Sequence, residues 1–420
     1  MKHCALPLAS VAALITACSG SGAGPAAAPA PPDTLAKLRG QLSAAVIASE
    51  ASCSAGWLSS RTEPPCAAEP RRALVDPQHA WMLENQVVAS VAAAAARDAS
   101  VNGLRSRLTR ERLLRDATDA KGVSAVAKAL GYPDAPALLS AIHGFDIRST
   151  VASAQELLNA SEGLYLVARN DVGASTSEAE GVTKRALPSA KTSDVARALV
   201  DAVLPPPSPA LSVIIDAPGS SAGVFFVAPS EQRVVAALAG GALDVELTGK
   251  ALAAGRVRQL LGDADASIPP MLGFVATSPI QTPEWMAATL SLPEPALTQV
   301  VRARAFLALE AARAEAARSL DTLALYDGSG TDLGAADPWM TAIVRFRGRL
   351  LAANVVSALA QKLGPTWWLR PETPTVLTEL LGAGGSDAVL AKLKVGLSPE
   401  TLLVESARTL ARSDALVTRR

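Results

Sequence analysis

Apolar residues recur at three- and four-residue spacing along most of the chain, the pattern that gives a helix one buried stripe. Leu35, Leu38, Leu42 and Val46 fit one helix, and Trp81, Leu83, Val87, Val88, Val91 and Ala95 open a long second one that runs to about Asp116. Residues 122–130 and 135–143 predict two short helices joined by Gly131-Tyr132-Pro133-Asp134, with Asp134 placed to cap the second. Further helices are expected over 147–169, 193–204, 230–239, 243–261, 283–290, about 295–325, and 338–362 with Asp337 as its cap, then in short pieces from Thr373 to about Ala411. Residues 170–192 are rich in Ser, Thr, Gly and Glu and predict an exposed loop or a poorly packed helix. Pro205-Pro206-Pro207 ends one helix, and Pro269-Pro270 marks a broken segment.

One region reads differently. Leu211 to Ile215 and Gly223 to Val227 are rich in β-branched and aromatic residues, with Pro218-Gly219-Ser220-Ser221 between them as turn chemistry. The expected fold is therefore mainly α, a multi-helix two-lobed body with one small β-hairpin near 211–227. A body spanning 34–420 exceeds what one hydrophobic core usually serves, which suggests lobes at 34–204 and 205–420. No repeat of solenoid length is visible.

The hydrophobic fraction is 49% but aromatics reach only 4%, and alanine dominates, which favours closely packed helices over strands. The 39 basic and 39 acidic residues balance, so the net charge indicates neither a nucleic acid nor an anionic surface as partner.

The N-terminus carries an address. Met1-Lys2-His3 is a short basic start, and Ala5 to Ile15 is an apolar run of signal-peptide length, too short to span a bilayer. It closes on Leu14-Ile15-Thr16-Ala17-Cys18, which resembles the lipobox of bacterial lipoproteins. The resemblance implies a signal peptide over 1–17 and a mature chain beginning at a lipid-modified Cys18. Each buried acyl methylene contributes about 0.8 kcal/mol, so two or three chains anchor a protein durably to the membrane. An ordinary cleaved secretory signal is the competing reading. Residues 18–33 form a Gly/Ser then Ala/Pro tract that behaves as a flexible tether. Ser19 after the cysteine resembles lipoproteins sorted to the outer membrane, so the expected location is the cell envelope, on that membrane, facing the periplasm or the outside.

In an exported protein Cys53 and Cys66, flanking the segment from Ser54 to Pro65, read as a disulfide. Closing so short a loop contributes about 3 kcal/mol on the entropic account. Two inert buried thiols are the alternative, and the absence of Cys-x-x-Cys spacing argues against redox activity.

Three segments resemble, in order, the helical zinc peptidases of the thimet oligopeptidase and angiotensin-converting-enzyme type. They are Ala127 to Asp134 followed by Ile142-His143-Gly144-Phe145-Asp146, then Asp244-Val245-Glu246-Leu247-Thr248-Gly249-Lys250-Ala251-Leu252, then Leu363-Gly364-Pro365-Thr366-Trp367-Trp368-Leu369-Arg370-Pro371. The resemblance covers roughly residues 75 to 400. In that family the middle helix carries His-Glu-x-x-His, two zinc ligands one turn apart and a glutamate that activates the bound water. Aligning Gly249-Lys250-Ala251-Leu252 with the family's Gly-His-Ala-Leu puts Glu246 and Lys250 at the ligand positions and Leu247 at the base. An ammonium has no lone pair for a metal, and leucine accepts no proton. The next ligand of the family falls near Ile268 to Leu272, where Pro269 and Pro270 stand and no carboxylate does. The resemblance therefore implies a degenerate peptidase with no metal and no cofactor.

Nothing else in the chain supplies an alternative. Besides His3 there are only His79 and His143, each read as a capping or surface residue near a helix end. Ser220-Ser221 lacks a Gly-x-Ser-x-Gly elbow, and Gly328-Ser329-Gly330 lacks the Lys-Ser/Thr of a phosphate loop. Asp327 to Asp332 looks like a calcium loop but lacks the distal bidentate glutamate, so a solvated turn is expected. Glu246 and Lys250 read as a surface pair worth a few tenths of a kcal/mol, and Trp367-Trp368 as core. The expectation is a lipid-anchored envelope protein without catalysis of its own, its cleft binding a peptide or protein partner. An unrelated structural lipoprotein and an enzyme using a non-zinc mechanism are the alternatives.

Overall fold

The computed structural model describes residue 124 and residues 132–206, 212–216, 223–228, 231–235, 240–261, 265–327, 341–382 and 384–418. Cys18, the Cys53/Cys66 pair, His79, the tether, the two helices expected before residue 117, the Ser220-Ser221 turn and residues 328–340, with most of the acidic loop and Asp337, lie outside the described residues. The fold is mainly α. Helix α1 spans Ala135–His143 and α2 Ile147–Val172; α3 Thr176–Ala186 and α4 Ser189–Val203 follow. After three short strands come α5 Ala242–Leu261, α6 Ile268–Thr277, α7 Pro283–Leu290, α8 Glu294–Asp327, α9 Thr341–Leu363, α10 Thr373–Leu381, α11 Ser386–Leu393 and α12 Glu400–Thr418.

Local chemistry sets several boundaries. The Asp134 side chain accepts from the Ala137 amide and so caps α1, as its sequence position suggests. Asp146 does the same for α2 and Thr282 for α7. Residues 170–192 take the helical alternative: α2 continues to Val172, a 3-10 turn covers Gly173–Ser175, and α3 follows with only Ala179 and Thr183 buried. Pro269 and Pro270 do not break a segment. They sit in the first turn of α6, where a missing amide hydrogen costs nothing.

The expected hairpin near 211–227 is not formed. Strands β1 Ser212–Asp216 and β2 Gly223–Ala228 do not pair with each other, because β3 Glu231–Val235 lies between them. β3 runs parallel to β1 and antiparallel to β2. The helix expected over 230–239 is accordingly a strand there. Its Ala/Val pattern fits either state, and backbone partners on both sides decide the matter.

α8, 34 residues long, is the spine. It packs along α2, α9 and α12 and touches α3, while α6 lies between α5 and α9. α6 is apolar all round and buried from Met271 to Thr277, as a helix enclosed on every side must be. α9 approaches α6 closely because Gly348 has no side chain: a Cβ there would lie 2.9 Å from the Met271 nitrogen. The largest core cluster draws on both sides of Pro205, from Ala168 to Leu410, so 204/205 does not separate two cores among the described residues. Trp367 and Trp368 belong to that core, edge to face with centroids 5.9 Å apart. Among the described residues no helix is long and apolar enough to cross a membrane.

Candidate functional site

α5 has an outward and an inward face. Leu243 and Leu247 are exposed, whereas Val245, Glu246 and Thr248 are buried. The three positions aligned with a metal-binding helix are thus split. Glu246 and Lys250 turn inward and meet, and Leu247 turns to solvent. The pair is not the surface pair its i, i+4 spacing suggests. One Glu246 oxygen pairs with Lys250 and the other with Arg304 of α8, and both Glu246 and Arg304 are buried. A carboxylate so engaged, an ammonium and a leucine do not fit a zinc ion. Among the described residues no group of three His, Cys, Asp or Glu side chains could hold a metal.

The network continues outward. Arg349 of α9 forks onto Glu315 of α8, its Nε donating to Oε2 at 2.8 Å and its Nη2 to Oε1 at 3.1 Å. Arg345, one turn earlier on α9 and half exposed, reaches the same Glu315 Oε1 at 3.2 Å. Phe274 of α6 lies against two cations, with Lys250 Nζ 4.5 Å and Arg349 Cζ 4.2 Å from its ring centroid. Such contacts offset part of the lost hydration of each cation.

The ionisation of these groups follows from their surroundings. Burial lowers Lys250 to about 7, helped by the Arg349 and Arg345 charges and opposed by Glu315. Burial alone would raise the Glu315 carboxyl, but hydrogen-bonded Arg349, then Arg345 and Lys250, outweigh it and hold the group below its usual value. Burial also lowers Arg304, against the Glu180 carboxylate of α3, though a guanidinium stays charged regardless.

A second polar cluster surrounds Arg347 on a different side of α9. Arg347, 2% exposed, donates from Nε and Nη2 to Ser386 Oγ at 3.0 and 2.8 Å and from Nη1 to Thr150 Oγ1 at 3.2 Å. It also pairs with Asp387 and lies over the Phe145 ring. Asp265 accepts the Ser386 amide at 2.9 Å and the Ser267 amide at 2.8 Å, together with both serine hydroxyls. Close by, His143 ends α1 as expected, but its side chain is buried rather than on the surface, and its carbonyl accepts from the Ala266 amide at 3.1 Å.

Arg304, Glu315, Arg345 and Arg349 do not stand out in the sequence, since pairing across helices leaves no local spacing. The one signal is the alternation Arg345-Phe346-Arg347-Gly348-Arg349 inside an apolar helix, where guanidiniums on successive sides cannot all face solvent, and Arg347 and Arg349 are the two that enter the interior. Compared with protein-family models, curated proteins and solved structures, the chain matches none.

Proposed function

We propose that this chain is a lipid-anchored protein of the bacterial cell envelope, held on the outer membrane through Cys18, whose helical body binds a peptide or protein partner and performs no zinc-dependent hydrolysis. The lipobox-like Leu14 to Cys18 supports the anchoring. The observation that carries the absence of zinc hydrolysis is the fate of Glu246 and Lys250. In the segment that resembles the helical zinc peptidases they align with the zinc-ligand positions, and they are tied to each other and to Arg304 in the interior, with Leu247 facing away. That arrangement is compatible with a degenerate member of such a family and supports a body without zinc chemistry.

Membrane fractionation of the full chain tests the anchoring. Cys18 is expected to carry a diacylglyceryl group and to hold the protein on membranes, and Cys18→Ser to release it. An unmodified Cys18, or a variant that stays bound, overturns it.

A structural role without a ligand is the second reading, favoured by the 34-residue α8 around which α2, α9 and α12 pack. A short-peptide library separates the two. A raised unfolding temperature with particular peptides supports binding, and no shift with any of them supports the structural role.

A further inference from the structure

The Lys250 cluster is unbalanced in charge. Four cations, Lys250, Arg304, Arg345 and Arg349, stand against three carboxylates: Glu246, Glu315 and Glu180, which acts on Arg304 from α3. With every group ionised these seven side chains, counted among the described residues, carry one excess positive charge. To the extent that the excess charge is kept from water it costs free energy, so such a site favours shedding a proton or acquiring an anion.

The excess is on the solvent side. Arg304 and Arg349 are enclosed, but the Lys250 side chain is 23% exposed and that of Arg345 46%. Arg345 gives a single contact to Glu315, and a guanidinium has five N–H donors, so most of its fork remains available to a ligand. Beneath lies Phe274, an apolar floor that Lys250 and Arg349 both touch. Lys250 over that aromatic floor and the half-exposed Arg345 on the shared Glu315, backed by the fixed bidentate Glu315–Arg349 pair, suit planar or tetrahedral oxygen anions.

We propose that this cluster binds one small oxyanion, a carboxylate or a phosphate group, between Lys250 and Arg345. The anion supplies the missing negative charge, so binding is tied to protonation of Lys250. Without it, the lysine at about 7 is largely neutral at mildly alkaline pH, and the cluster then balances. With it, the ammonium is favoured and a proton is taken up. The groups that face this equilibrium are Glu246 on α5 itself, Arg304 and Glu315 on α8, Arg345 and Arg349 on α9, and Glu180 on α3 through Arg304. α6 brings Phe274 and no titratable side chain, and α4 brings Asp201 and Arg197 to Arg256 at the far end of α5. β2 has no titratable residue, and β3 has Glu231 and Arg233 in its sequence.

Calorimetric titration of the detergent-solubilised mature protein with inorganic phosphate, and separately with acetate, tests this, with chloride at equal ionic strength as the control. One anion per chain is expected, with a dissociation constant that rises close to tenfold per pH unit above about pH 7 and levels off below it. Buffers of different ionisation heat should show about one proton taken up near pH 8 and almost none near pH 6. Lys250→Arg is expected to bind with the pH dependence gone, Lys250→Met to bind weakly at every pH, and Arg345→Gln, at a half-exposed position, to weaken binding while the fold is kept. Preference between phosphate and acetate distinguishes the two sources of the group. No response beyond that to chloride, or a pH dependence unchanged in Lys250→Arg, overturns the proposal.

Discussion

Glu246 and Arg304, 58 residues apart in sequence, form a buried ion pair that ties α5 to the α8 spine, and Lys250 shares the same carboxylate. Removing one member of such a group strands the others' charge away from water. Glu246→Gln is therefore expected to destabilise the protein by about 3 kcal/mol, within the range for breaking a buried pair. The double variant Glu246→Leu/Arg304→Leu should recover much of that loss, because replacing a buried pair with apolar side chains is often nearly neutral. Urea unfolding midpoints of the two variants check both statements.

Lys250 gives the protein a pH dependence of definite sign. Its folded value of about 7 lies below the unfolded value of 10.5, so between these limits the unfolded chain binds the extra proton. Stability should thus rise with pH from about 7 toward 10.5, by at most about 1.4 kcal/mol per unit, and the burden should be constant below 7. The difference in unfolding free energy between the native protein and Lys250→Met, followed across that window, isolates the effect. A flat difference would show that Lys250 titrates as it does in water.

Glu315 acts in the opposite direction. Its carboxyl is held below 4.5 by Arg349 and its neighbours, so its contribution is fully present above that value and is lost as pH falls through the lower folded value. Glu315→Gln should flatten the acid limb of the stability profile. An unaltered limb would mean that other carboxylates account for it.

Asp265 accepts two backbone amides and two serine hydroxyls around Arg347. Asp265→Ala leaves the amides of Ser267 and Ser386 without their acceptor and Arg347 with less compensating charge nearby. The expected cost is about 2–4 kcal/mol. Hydrogen exchange should show the loosening concentrated at the starts of α6 and α11, where those amides lie.

How much of this was legible in the sequence depends on the range of the forces involved. α7, from Pro283 to Leu290, and the cap at Asp134 follow from neighbours in the chain, and both stand where the pattern put them. The 230–239 segment did not, because β1 and β2 supply the hydrogen bonds that make Glu231–Val235 a strand, and a single-chain pattern carries no record of them. The same limit applies to the site. Glu246 and Lys250 were visible as a pair at helical spacing, but their burial depends on α8 and α9, which arrive from later in the chain. Their surroundings turn an ordinary surface pair into an interior one.

Gly348 separates helix propensity from packing. Alanine is favoured over glycine inside a helix by about 1 kcal/mol. Yet its Cβ would meet the Met271 nitrogen and Pro270 Cγ at 2.9 Å and the Ser267 carbonyl at 3.0 Å, mostly backbone that cannot turn aside. Gly348→Ala is expected to lower stability by about 1–3 kcal/mol, the usual cost of overpacking. A gain in thermal midpoint would show that α6 and α9 can move apart freely.

The most direct test of the account is the zinc content of the purified protein after equilibration with a zinc salt and removal of the unbound metal. With Glu246 engaged by Lys250 and Arg304, no stoichiometric zinc is expected. One zinc per chain, lost in Glu246→Gln, would contradict the claim that Glu246 and Lys250 belong to an ion-pair network and not to a metal site.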